Sequence, residues 1–187
     1  VVMFRRQRIV KLRIFELAQL LVAQGRAASP ADVYRLLRAA DRVASAAMWL
    51  TVHMTYAQRV RWDGAALQPG EYKQTPEGHT GGSLNMVPAY AGYLAANSLT
   101  GHTRGWIMGQ GHSVAGVEAV NLLVGNMLPI QAQRYDLSDA GLTRFVGDFY
   151  SYSIGPDGRP ESPLGSHVNA NTAGGISEGG YRGFAEL

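Results

Sequence analysis

The chain has 187 residues, a formal charge of +3 and no cysteine; hydrophobic residues make up 46% and charged residues 17%. That is enough apolar chain for one sizeable buried core, or for part of something larger, and too little charge for disorder. The absence of cysteine excludes disulfide scaffolds, thiolate-held zinc, iron–sulfur clusters and thiol nucleophiles, and fits a reducing compartment. No run of 18 apolar residues occurs, so no membrane span is expected.

In chain order, residues 4–24 read as a helix. Ile9, Leu12, Ile14, Phe15, Leu17, Leu20 and Leu21 form a broad apolar face, and Arg5, Arg8, Lys11 and Arg13 lie near the start. The expectation is a helix packed on the rest of the protein, with a membrane-surface or nucleic-acid helix as the competing use. Its basic flank and the lack of a cleavage site speak against a signal peptide. Residues 1–42 carry nine Lys/Arg and three Asp/Glu, a local +6, and the remainder is a local −3. The basic character is therefore one helical stretch, not a folded face of the kind nucleic acid requires. Ser29-Pro30 is a helix start, with serine as N-cap and proline at the first helical position. The helix is expected over residues 30–60, with Leu36, Leu37, Ala40, Val43, Ala44, Ala47 and Leu50 inward and a break near Met48 to Thr51. Gln68-Pro69-Gly70 is a turn.

Residues 78–83 read as a glycine loop and residues 84–97 as a helix. Trp106-Ile107-Met108 is a short apolar run between glycines, suited to a buried parallel strand. Gly109-Gln110-Gly111-His112 follows it, then a helix over residues 114–124 and another over residues 137–150. Residues 155–183 are loop-rich. A strand–glycine–helix unit among several helices gives an α/β class, helix-rich with a short parallel sheet.

Glycine is concentrated in the second part: twenty of the 23 lie from Gly78 onward. Glycine permits close backbone approach and positive φ, so this density suggests loops shaped around a ligand. Three of the five histidines sit in such loops: Gly78-His79-Thr80-Gly81-Gly82, Gly109-Gln110-Gly111-His112 and Gly165-Ser166-His167. One histidine after a glycine is usually a turn residue, but three in such loops make a shared proton-handling site a real alternative. No HExxH, no close histidine pair and no cysteine is present, so these histidines are not expected to hold a metal. The dinucleotide fingerprint fails at its third glycine, and neither a phosphate-cradling Walker loop nor a GxSxG elbow occurs.

Taken together, these loops resemble the N-terminal portion of the phosphoketolases, thiamine diphosphate enzymes related to transketolase. Residues Gly78-His79-Thr80-Gly81-Gly82-Ser83-Leu84-Asn85 are similar to the family's GHWGTTPGLN loop. Met108-Gly109-Gln110-Gly111-His112 is similar to its GPGHG loop. Ser166-His167-Val168, then Thr172, Gly174, Ile176, Glu178-Gly179-Gly180 and Tyr181, resemble SHV…TPGSIHEGGELGY. Upstream, residues 39–58 resemble the helix before the first loop, with Trp49-Leu50 and Tyr56 in place. Thr80 stands for a tryptophan, Gln110 for a proline and Ser177 for a histidine.

The resemblance implies a partial thiamine-diphosphate-binding, transketolase-like domain over residues 29–187, preceded by the basic amphipathic helix within residues 1–28. It implies that His79, His112 and His167 surround the thiazolium and the sugar phosphate. Gly111, His112, Glu178, Gly179 and Gly180 would bind the cofactor, Glu178 with shaping of the loop as its alternative role. Thiamine diphosphate and Mg²⁺ would be the cofactors, with the metal ligands, a Gly-Asp-Gly segment and an asparagine, expected beyond Leu187; Gly147-Asp148 is a chance dipeptide. The complete enzyme would be a cytoplasmic homodimer acting on xylulose 5-phosphate or fructose 6-phosphate with inorganic phosphate, without nucleic acid or membrane partners. These 187 residues alone would be inactive. Another transketolase-like thiamine enzyme, or a non-catalytic module completed by a second chain, are the alternatives.

Overall fold

The computed structural model of the chain describes residues 2–76, 78–105, 113–149 and 163–164. Its first helix, α1, is Val2–Ala23. Of its described side chains only Ala18 and Leu21 are buried, against Val33 of the next helix. Ile9, Leu12, Phe15 and Leu20 are each more than half exposed. The broad apolar face is thus mostly uncovered, contrary to the expectation that it packs on the protein.

Helix α2 is Pro30–Tyr56. Ser29 is in extended backbone and its Oγ accepts from the Asp32 amide at 3.3 Å, so one of the orphan amides of the first turn is satisfied. Asp32 adds a negative charge at the positive end of the helix dipole. The helix runs unbroken through Met48 to Thr51, where Ala47, Leu50 and Thr51 are all buried. It ends before residue 60 because Ala57 turns into extended backbone and pairs with Tyr72 in an antiparallel bridge. The Gln58 amide donates to Glu71 O and the Lys73 amide to Tyr56 O, both at 2.8 Å. Lys73 Nζ then donates to Met54 O at 2.6 Å and to Val146 O at 3.1 Å, placing a cation at the carbonyl ends of two helices. The turn at Pro69–Glu71 is a single turn of 3-10 helix.

Helix α3 is Thr80–Thr100 and α4 is Val114–Val124. Both stop at a glycine in the left-handed region, Gly101 at φ 66° and Gly125 at φ 71°, where a side chain would be strained. A short α5, Pro129–Arg134, has no counterpart in the sequence expectations, and α6 is Asp139–Asp148. Helices α2, α3 and α4 pack against one another, with α1 and α6 against α2. Leu50, Met54, Val60, Val87, Val114, Val120, Leu142 and Phe145 form the centre of the main core. The described part is helix-rich. The short parallel sheet is not seen: the Ala57–Tyr72 bridge is the only β pairing among the described residues. The expected strand, Trp106-Ile107-Met108, lies outside them.

Candidate functional site

The glycine loop expected over residues 78–83 is for the most part the first turn of α3. Thr80, Gly81, Gly82 and Ser83 are helical, and His79 is the N-cap. Its Nδ1 accepts from the Gly82 amide at 2.8 Å. An accepting Nδ1 places the proton of the neutral ring on Nε2. The cap therefore sets both the tautomer and the orientation of an exposed imidazole.

Gly82 is required by packing and not by loop geometry. A Cβ there would stand 2.6 Å from Ser113 Oγ and 2.7 Å from His79 Nδ1. Ser113 is the N-cap of α4 and follows His112 directly. It is 1% exposed, and its Oγ has no hydrogen-bond partner among the described residues. Less than one turn of α4, from Ser113 to Gly116, fixes this meeting of α3 and α4. At Gly116 a Cβ would stand 2.4 Å from the carbonyl oxygen of Ser83, so the two helices touch backbone to backbone. Tyr90 Oη donates to Asn121 Oδ1 at 2.9 Å further along the same crossing, and burial pushes its phenol upward. The N-termini of two helices, each carrying partial positive charge, thus open side by side next to a buried hydroxyl and an imidazole.

Of the predicted site residues, His79 is in this place and Ser113 brings the backbone after His112 to it. His112 itself, Gly111, His167, Glu178, Gly179 and Gly180 lie outside the described residues. Thr80, which stands for the family's tryptophan, lies 3.4 Å from Tyr56 Oη through its Oγ1, a contact joining the end of α2 to the start of α3. Beyond Tyr56 is a cleft of about 280 Å³ lined by Trp49, Val52, His53, Tyr56 and Tyr72. His53 Nδ1 lies 2.9 Å from Trp49 O and its ring is 4.0 Å from the indole, so this imidazole is part of an aromatic wall. Among the described residues, His79 does not line this cleft.

Three residues escaped the sequence reading. Ser113 and Gly116 serve the helix crossing, and small residues in an otherwise apolar helix are its only signal. Glu118 is 1% exposed on α4 and is the one charged residue in that helix, an anomaly that pattern reading could have flagged. Gly147-Asp148 does have a structural use. Asp148 Oδ2 accepts from Arg134 Nη2 at 2.6 Å and from Tyr135 Oη at 2.9 Å, closing α5 onto α6. Burial, and then the Asp148 carboxylate, push the Tyr135 phenol up to about 12.

The chain matches the XFP N-terminal domain over residues 33–186, most of its length. It therefore belongs to the family of phosphoketolase N-terminal domains. No curated protein and no solved structure matches the chain significantly. No helix among the described residues is long and apolar enough to cross a membrane. No group of three or more metal-binding side chains comes together among them.

Proposed function

We propose that this chain is the N-terminal portion of a thiamine-diphosphate-dependent phosphoketolase. The reaction would cleave xylulose 5-phosphate or fructose 6-phosphate with inorganic phosphate, giving acetyl phosphate and an aldose phosphate. Family membership sets the class, and the observation that carries the site is the meeting of His79 and Ser113 at the paired N-termini of α3 and α4. A buried hydroxyl without a partner beside helix amide donors suits a phosphorylated ligand, so the described residues fit the cofactor class.

When bound, thiamine diphosphate supplies the electron sink that permits carbon–carbon cleavage next to a ketose carbonyl. His79, with Nδ1 held by the Gly82 amide, would present a donor to a substrate oxygen that gains negative charge. His112, adjacent to the Ser113 cap, and His167 would share the proton transfers. Gly111, Gly179 and Gly180 would allow close approach to the cofactor, and Glu178 would contact it. Mg²⁺ would be held by residues other than the described ones, which bring no metal-binding group together. The complete enzyme would be a cytoplasmic homodimer.

The test is acetyl phosphate formation by the whole protein with a ketose phosphate, inorganic phosphate, thiamine diphosphate and Mg²⁺. The expected result is cofactor-dependent acetyl phosphate that His112→Ala abolishes. Cofactor-dependent transfer of a two-carbon unit to an aldose, without acetyl phosphate, would instead assign a transketolase-like enzyme. No turnover together with no thiamine diphosphate binding would leave a non-catalytic assembly module.

A further inference from the structure

We propose that α1 lies on an anionic lipid surface, with its uncovered apolar side chains in the headgroup–acyl boundary and its cations at the lipid phosphates. The family match begins at residue 33 and leaves all of α1, Val2–Ala23, outside it. The family's expected lack of a membrane partner therefore does not reach this helix, and the inference does not rest on the enzyme reading.

The body of the protein holds only the later turns of α1. Ala18 and Leu21 are buried against Val33, whereas every side chain from Ile9 to Arg13 is exposed. Ile9, Val10, Leu12, Phe15, Leu17 and Leu20 are each between 39% and 58% exposed. At about 100° per residue, these six spread over about 220° of the helix. An apolar stripe packed on one neighbour is about 100° wide, so a single partner helix would leave much of this surface wet. A lipid boundary entered to a depth of about 5–10 Å reaches half or more of the circumference of a helix about 10–12 Å wide.

Charge selects the kind of surface. Helix α1 holds four arginines, one lysine and one glutamate, a charge of +4. The whole chain is +3, which leaves −1 for the rest. A second copy of α1 would set +4 against +4, where like charges repel, and the nearly neutral body is a poor partner for so many cations. Lipid phosphates supply the missing anions. The long stems of Lys11 and Arg13 let their charges reach the headgroups while apolar neighbours insert. Arg13 meets Glu16 at 3.5 Å with both side chains well exposed, a contact weak enough to yield to a phosphate. Among the described residues no helix is long and apolar enough to cross a bilayer, so α1 lies along the surface.

The experiment is co-sedimentation of the whole protein with vesicles of phosphatidylglycerol and phosphatidylcholine in equal parts, and with vesicles of phosphatidylcholine alone. A cation near an anionic surface strengthens binding by about fivefold. Binding to the anionic vesicles is expected to be at least about tenfold tighter than to the neutral ones and to weaken with added salt. Lys11→Glu with Arg13→Glu should weaken it by about 25-fold or more. Leu12→Ser with Phe15→Ser should weaken it by about tenfold or more. Amides from Ile9 to Phe15 should exchange more slowly on the anionic vesicles, while those of Leu50 and Val120 do not change. All four altered side chains are exposed, so both variants should melt like the wild type; a pair that does not is replaced by the same pair of alanines. No vesicle binding, equal binding to both vesicles, or binding that Leu12→Ser with Phe15→Ser leaves unchanged would overturn the proposal. Self-association that this apolar pair abolishes, without vesicle binding, would overturn it too and assign the face to contact between copies. No turnover is measured, so the phosphoketolase reading stands or falls separately.

Discussion

The backbone contact between α3 and α4 can be weighed by adding one methyl group. Alanine at an exposed helix position is more favourable than glycine by about 1 kcal/mol, so Gly116→Ala taken alone should stabilise. Its Cβ, however, would stand 2.4 Å from Ser83 O and 3.2 Å from Val87 Cγ2. Ordinary carbon–oxygen contacts begin at about 3.3 Å, so the helices must part by nearly 1 Å at their crossing. The obstructing atom is backbone and cannot swing aside. The strain belongs at the upper end of overpacking costs, about 3 kcal/mol, for a net loss of about 2 kcal/mol. Gly92 is the control: it lies within α3 with nothing within 4 Å of an added Cβ, so Gly92→Ala should gain about 0.5–1 kcal/mol. Comparing the two variants cancels the helix-propensity term and leaves the strain. Thermal unfolding should place their midpoints roughly 6–12 °C apart. A Gly116→Ala protein as stable as Gly92→Ala would refute the close crossing and the convergence built on it.

The same contacts give three further expectations. Gly82→Ala would meet the ends of two side chains, Ser113 Oγ and His79 Nδ1. The imidazole should therefore rotate away at a cost of about 1 kcal/mol or less, and thiamine diphosphate titration should show weakened binding by a folded protein. His79→Asn keeps a good capping side chain while removing the imidazole, so its melting midpoint should stay near wild type as acetyl phosphate production is lost; His79→Ala should lose about 1 kcal/mol as well. Tyr135 is held protonated in the folded state, with its phenol raised to about 12. Its contribution is fully present below pH 10 and is lost as pH rises toward 12. Urea titrations over that window should show a decline that Tyr135→Phe flattens.

Helix α4 was legible to the residue because its signals are local: a run of small and apolar residues closed by a glycine. The start of α3 was misplaced because Gly81 and Gly82 have the composition of a loop. What selects glycine at 82 is the approach of Ser113, a contact made across 31 residues that no window along the chain contains. The end of α2 was misplaced for a similar reason, since the Ala57–Tyr72 pairing and the Lys73 cap are tertiary. The sequence picked out His79 as a site residue from its glycine neighbours. Its capping bond to the Gly82 amide, which sets the tautomer, depends on the helix starting one residue later. The apolar periodicity of α1 was read correctly as helix and incorrectly as a buried face, because periodicity says which residues align and not what covers them.

The lean attachment of α1 gives the molecule two tiers of stability. Among its described side chains α1 is held through Ala18 and Leu21, whereas α2, α3 and α4 share one core and must come apart together. Amides in α1 should therefore exchange through a low-energy local opening, and those near Leu50 and Val120 only through global unfolding. Proteases should cut within α1 while the shared core of α2, α3 and α4 is still native.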